Sequence, residues 1–173
     1  MDKNDQKLLD SLAAEMIRFD SGDPKRIQHL IKVHSFARLI GIGEGLDDKT
    51  QMTLEAAAYV HDIGIIPAEI KYGRCDGKIQ EQEGPEHARA MLASLEFESD
   101  IIDRVTYLVG RHHTYTNIDG ADCRILIEAD FLVNMYEDDV SEDAVDKAYR
   151  SIFRTKTGRK FCRDMFGTAD NKN

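Results

Sequence analysis

Four histidines and two aspartates stand where a helical chain would otherwise carry apolar side chains: His34, His61, His87, His112, Asp62 and Asp130. The stretch AAAYVHDIGIIP, residues 56–67, is the plainest case, an apolar run broken by an imidazole next to a carboxylate. At about 3.6 residues per turn, spacing decides which way each side chain points. His34 follows Ile27 by seven and Ile31 by three; His61 follows Leu54 by seven; His87 precedes Met91 by four; His112 follows Val105 by seven and Leu108 by four. Asp130 follows Leu126 by four and Ile127 by three, and Asp62 lies between Val60 and Ile63. A carboxylate taken out of water without a partner is strongly unfavourable, and it is stabilised by a cation or a metal. Imidazole nitrogens and carboxylates are donors for first-row divalent metals. From one helix end, His61 can bind one ion while Asp62, with two oxygens, reaches a second. An isolated His-Asp at a helix end is ordinarily a local cap. Five helices each turning a His or an Asp inward point instead to a metal centre in a bundle core. His29 lies five residues before His34, about 140° round the same helix, and is expected at the surface.

The elements that must position these residues read as helices throughout, with no sustained period-two alternation. Leu8, Leu9, Leu12, Met16 and Ile17 make a first apolar stripe, and Asp23-Pro24 opens the second helix with an N-cap and a first-turn proline. Asp47 or Asp48 opens the third, which Gly64 and Pro67 stop. Residues 68–84 are polar, hold three glycines and read as a long loop of the kind that forms lids. Gly84-Pro85 starts a fourth helix, Ser99 caps a fifth, Gly120 precedes a sixth, Ser141 caps a seventh, and Gly158 sets off a short last one. The expectation is an all-α, single-domain helical bundle of about seven or eight helices with a metal site at its centre. An N-terminal helix (residues 1–22) packs on a core of residues 23–138, and C-terminal helices (139–173) complete the same domain.

The chain has 173 residues and a formal net charge of −9, which opposes broad binding to a nucleic-acid backbone. No apolar run is long enough to cross a bilayer, and the charged N-terminus lacks a signal-peptide core. Three scattered cysteines fit reduced thiols, so a cytoplasmic protein is expected, with neither nucleic acid nor membrane as partner. Lys71, Arg74 and Lys78 gather near the candidate site and could close over a phosphate; Arg38, one turn after His34, and Arg111, beside His112, are comparable candidates.

The order His34, then His61-Asp62, then Asp130 resembles the HD-domain superfamily of metal-dependent phosphohydrolases, over residues from about 24 to 137. His87 in GPEHARAML and His112 in VGRHHTYT extend the likeness to the dinuclear members. The resemblance implies a first ion on His34, His61, Asp62 and Asp130, and a second on Asp62, His87 and His112, with Asp62 bridging at the catalytic centre. His113 is either a further ligand or faces substrate. Two divalent ions are implied, Fe or Mn ahead of Mg, Ni, Co or Zn. The departures are informative. Ile65 stands where cyclic-dinucleotide phosphodiesterases of the superfamily keep a lysine and where mononuclear nucleotidases keep a catalytic glutamate, and no Gly-Tyr-Pro motif follows the His-His pair.

The activity this implies is hydrolysis of a phosphate ester or anhydride of a small anionic molecule, such as a nucleotide, by a metal-bound hydroxide; small diadenosine tetraphosphate hydrolases have a similar ligand set and length. Two alternatives share the ligands: a di-iron HD-domain oxygenase acting with O2 on a small polyol or phosphonate, and a regulatory metal-binding module.

Overall fold

Asp and Ser/Thr side chains start most of the helices by accepting hydrogen bonds from first-turn N–H groups that have no partner inside the helix. The structure, a computed structural model, describes residues 1–168. Among these it has nine helices and no strand: α1 (Lys3–Phe19), α2 (Pro24–Glu44), α3 (Asp48–Val60), α4 (Ile65–Tyr72), α5 (Gly77–Ser94), α6 (Ser99–Val109), α7 (Gly120–Glu137), α8 (Glu142–Ser151) and α9 (Lys156–Phe166). Asp23 caps α2 through the Arg26 N–H and Asp47 caps α3 through the Lys49 and Thr50 N–H groups, both as the sequence suggests. Ser141 likewise caps α8, while Ser99 is the first residue of α6 and Glu98 takes the cap position.

Every residue of α3 from Gln51 to Val60 is buried. A helix with no solvent face is a central one, and α3 packs against α1, α2, α6 and α7. Ala56, Ala57 and Ala58 are fully buried and let those neighbours come close. The helix ends at Val60, so His61 and Asp62 emerge on a turn inside the bundle rather than at its surface.

Residues 68–84 are not a long loop. Residues 65–72 form α4, the helix beyond the expected count, and only 73–76 separate it from α5. Pro67 falls in the first turn of α4, where a missing N–H costs nothing, and so it does not stop a helix. Asp76 starts α5 by accepting from the Lys78 and Ile79 N–H groups, eight residues before the expected start. Pro85 lies inside α5 and not at its beginning.

Gly64, Gly77 and Gly84 are points of close approach. A Cβ on Gly64 would lie 2.7 Å from the Gln80 carbonyl oxygen and 2.8 Å from the Gly84 nitrogen. One on Gly84 would lie 2.7 Å from Val109 Cγ1. Gly158 sits within α9 for the same reason: its Cβ would collide with the Glu128 carboxylate. Fully buried Glu128 itself ties α7 to the α8–α9 connection by accepting from the Arg154 N–H (2.6 Å) and the Thr155 N–H (3.0 Å).

The Gly64 contact is backbone on backbone, so neither side can rotate away. Gly64→Ala should cost about 1–3 kcal/mol, in the range of overpacked interiors. Thermal denaturation checks this, with Gly73→Ala as a comparison where a Cβ meets nothing within 4 Å but φ is +65°.

Candidate metal centre

Four helices or their ends meet at one buried point. His29 comes from the first turns of α2, His61 and Asp62 from the turn after α3, His112 and His113 from the turn after α6, and Asp130 from the middle of α7. His61, His112, Asp130 and His29 are each no more than 6% exposed. His29 Nε2 lies 3.4 Å from His61 Nε2 and 3.2 Å from Asp130 Oδ1, which is itself 3.5 Å from His61 Nε2. Asp62 turns Oδ2 towards His29 Nε2 (3.7 Å) and Oδ1 towards His61 Nε2 (3.7 Å) and His112 Nε2 (3.3 Å).

The outer nitrogen of each of these histidines is held. His61 Nδ1 contacts the Ala58 carbonyl at 3.0 Å, His112 Nδ1 the Val109 carbonyl at 2.8 Å, and His29 Nδ1 the Glu137 carboxylate at 2.9 Å. A carbonyl can only accept, so in the neutral rings of His61 and His112 the proton sits on Nδ1 and the lone pair on Nε2. His112 Nε2 is buried and makes no hydrogen bond among the described residues, despite its approach to Asp62. Imidazole Nε2 atoms, one of them without a hydrogen-bond partner, gathered around two carboxylates are the donor arrangement of a divalent metal site.

The residues fit two groups: one ligand atom each from His29, His61 and Asp130 lies within 4.8 Å of the others, and the same holds for Asp62, His112 and His113. Adjacent His112 and His113 can serve one point because α6 has already ended at Val109; their ring centroids are 4.0 Å apart. His113 is braced by Gln80 Oε1 at 2.9 Å from its Nε2, and Gly77 leaves room for the ring, since a Cβ there would lie 2.8 Å from His113 Cγ. Asn134, one turn beyond Asp130, donates to Asp130 Oδ1 at 2.8 Å.

The electrostatics are those of carboxylates held against cations. Burial pushes Asp62 up, but the charge on His61 and the approach of His112 more than reverse this, bringing it to about 2. Burial also opposes ionisation of Asp130, and contacts with His29 and His61 hold it well below the carboxylate range. Burial lowers His29, yet the contact with Asp130, the charges of Asp130 and Asp62 and the bond to Glu137 raise it to about 9. His61 is raised by the same two aspartates against its own burial. His113, depressed by burial and then by His112, falls to about 4 and stays neutral.

Two expected ligands lie elsewhere. His34 is not in the cluster: its Nε2 meets Glu55 Oε2 at 3.0 Å and its ring stacks on Tyr59 with centroids 3.9 Å apart. The buried stripe of α2 runs through His29, Val33, Ala37 and Ile40, which places His29 inside and corrects its expected surface position. His87 belongs to neither group; its ring lies 6.2 Å from that of Phe19. Of the expected phosphate-binding cations, Lys71 is bonded to Glu83 (3.0 Å), Arg74 to Asp76 (3.2 Å), Arg38 lies 3.8 Å from Glu55, Arg111 lies over Tyr107, and Lys78 is exposed. Arg26, one turn before His29, is a cation that sequence reasoning missed. Its side chain is 14% exposed and its approaches to Asp20, Asp23 and Glu69 are long, 3.2 to 3.8 Å.

An all-helical bundle around a buried His/Asp cluster defines a class of metal-binding domains. Residues 26–146 match the family model of the HD domain, and the chain belongs to that family. The fold is similar to the crystal structure of a predicted HD superfamily hydrolase from an uncultured Thermotogales bacterium. The TM-score is 0.63 at 25% identity, over 94% of this chain and 84% of that one. No curated protein matches the chain. Family membership implies divalent metal binding, and the His/Asp groups described here are the residues that could hold it.

His29→Gln should weaken Mn2+ binding well beyond the roughly 10–100-fold typical of losing only a ligand's hydrogen-bond partner. His34→Gln should keep the metal and lose only stability, as measured by metal content and calorimetric titration. In metal-free protein, His29 stands at about 9 against an ordinary 6.5. The stabilisation this represents is complete below about 6.5 and fades as pH rises through about 9. Urea denaturation of stripped protein should show that decline, and His29→Gln should flatten it.

Proposed function

We propose that this chain is a metal-dependent phosphohydrolase that cleaves a phosphate ester or anhydride of a small anionic molecule, with nucleotides the first class to test. The observation that carries the reading is the convergence of three imidazole Nε2 atoms on two carboxylates, buried Asp130 and half-buried Asp62, with every outer nitrogen held. The solved relative described as a predicted HD superfamily hydrolase supports it. Two divalent ions suit the two groups, and Fe or Mn suits the mixed nitrogen and oxygen donors. When bound, such ions supply Lewis-acid chemistry: they offset charge on phosphoryl oxygens and bring the ionisation of water near neutral pH.

The chain's own residues supply the positioning. Asp62 faces both groups, one oxygen towards His29 and the other towards His61 and His112, and so fixes their separation. Asn134 holds the Asp130 carboxylate in place. Ala58 and Val109 carbonyls set the tautomers of His61 and His112. Arg26 is the nearby guanidinium with loosely engaged N–H groups, suited to receive an anionic oxygen in a fork geometry.

The test is metal analysis of protein purified without air, then phosphate release from nucleotides and sugar phosphates with Mn2+ or Fe2+. Metal-dependent release that a chelator abolishes is the expected result. Asp62→Ala should lose both ions and at least ~100-fold in rate, the scale on which removing one preorganised electrostatic group acts. Turnover by Asp62→Ala at the wild-type rate would sink the assignment, and turnover that requires O2 would move it to the oxygenase branch.

A further inference from the structure

Helix α7 grips His29 at both nitrogens. Asp130 and Glu137 are seven residues apart, two turns along one face of α7. Asp130 Oδ1 lies 3.2 Å from His29 Nε2, on the cluster side, and Glu137 Oε2 lies 2.9 Å from Nδ1, on the far side. The other Glu137 oxygen accepts from Lys32 Nζ at 2.5 Å, and Lys32 is the residue three after His29 on α2. The glutamate is thus fixed at both oxygens, its side chain only 11% exposed.

This separates His29 from the other two histidines. His61 and His112 rest their Nδ1 on neutral backbone carbonyls, which no substitution can remove. His29 alone rests its Nδ1 on a charged side chain. A carboxylate there does two things: it holds a proton on Nδ1, so that Nε2 is the nitrogen a metal would take, and it makes the ring more electron-rich and a stronger donor. The two metal groups are therefore unequal. The group of His29, His61 and Asp130 has a carboxylate-backed ligand; in that of Asp62, His112 and His113, His112 rests on a carbonyl and His113 on an amide oxygen.

We propose that Glu137 is a positioning residue that sets the His29 tautomer and makes the His29–His61–Asp130 group the tighter of the two metal sites. The inference rests on reading that cluster as a metal site and is independent of the substrate. Glu137 is the last residue of α7, outside the first set of ligands, and its effect passes through His29 alone.

The experiment titrates metal-stripped full chain with Mn2+ by calorimetry for wild type, Glu137→Ala and Glu137→Gln. It also records long-range 1H–15N correlations of the histidine rings with Zn2+ bound, and melting of the stripped proteins. In wild type, two classes of Mn2+ site are expected. In Glu137→Ala the tighter class should weaken roughly 10–100-fold and the His29 Nδ1–H signal should shift upfield or be lost to exchange with water. Glu137→Gln keeps an acceptor oxygen without the charge, so it should retain the Nδ1–H hydrogen bond and recover only part of the affinity. A glutamate that merely straps α2 to α7 would lower melting in both variants and leave Mn2+ affinity and tautomer as in wild type. That result overturns the inference, as does a wild type that binds no Mn2+. Normal Mn2+ binding with the Glu137 effect, but no phosphate release from any substrate, would remove the phosphohydrolase reading and leave this inference standing.

Discussion

Two carboxylates largely withdrawn from water, buried Asp130 and half-buried Asp62, set the terms for the rest of the bundle. Buried charges are unfavourable unless cations stand beside them in good geometry. Without a metal, the chain meets that demand with protons, raising His29 and His61 against the burial that would lower them. The protons stand for the positive charge that a divalent ion would bring, so the same contacts that stabilise the stripped protein describe the metal's donors. Metal binding then displaces those protons, which couples affinity to pH.

That centre requires helices to approach one another closely, and small residues lie where they do. Ala56, Ala57 and Ala58 line α3, and Gly64, Gly84 and Gly77 let α5 cross the His61-Asp62 turn and the His113 ring. The glycine of HDIG therefore has a structural reason independent of backbone freedom: its φ is −72°, open to any residue, and what it lacks is room for a Cβ.

The sequence carries much of this. His61, Asp62, His112 and Asp130 interrupt apolar runs, and burial of an interrupting polar residue is legible from its neighbours. His29 was harder. Helix α2 presents apolar residues on more than one side, so Ile27, Leu30 and Ile31 suggest one stripe and Val33, Ala37 and Ile40 another. The choice between them swings the inward histidine from His29 to His34. A tertiary fact decides it, because buried Glu55 on α3 gives His34 a different partner. The second group turns on a similar point. Spacing cannot say that α6 stops at Val109, and only that stop lets two consecutive histidines face one way. Residues 68–84 misread as a loop because their side chains are polar all round, yet Asp76 caps a helix there and glycines serve contacts.

The helical reading of that segment also changes what its cations do. On a loop, Lys71 and Arg74 would be free to fold over a phosphate. On α4 and its junction with α5 they are engaged instead, Lys71 with Glu83 and Arg74 with Asp76, while the Tyr72 hydroxyl also donates to Glu83. Such exposed pairs add little stability, about 0–1 kcal/mol each, but they tie a short helix to its neighbour. A chain of net charge −9 then has few cations near its centre with which to attract an anion. Of those that remain, Arg26 is half-buried on α2, one turn before His29, facing Asp20, Asp23 and Glu69 at 3.2 to 3.8 Å. On the phosphohydrolase reading, the bound ions themselves are the main source of attraction, so substrate binding and metal loading become one thermodynamic event, linked through the carboxylates at which the structure begins.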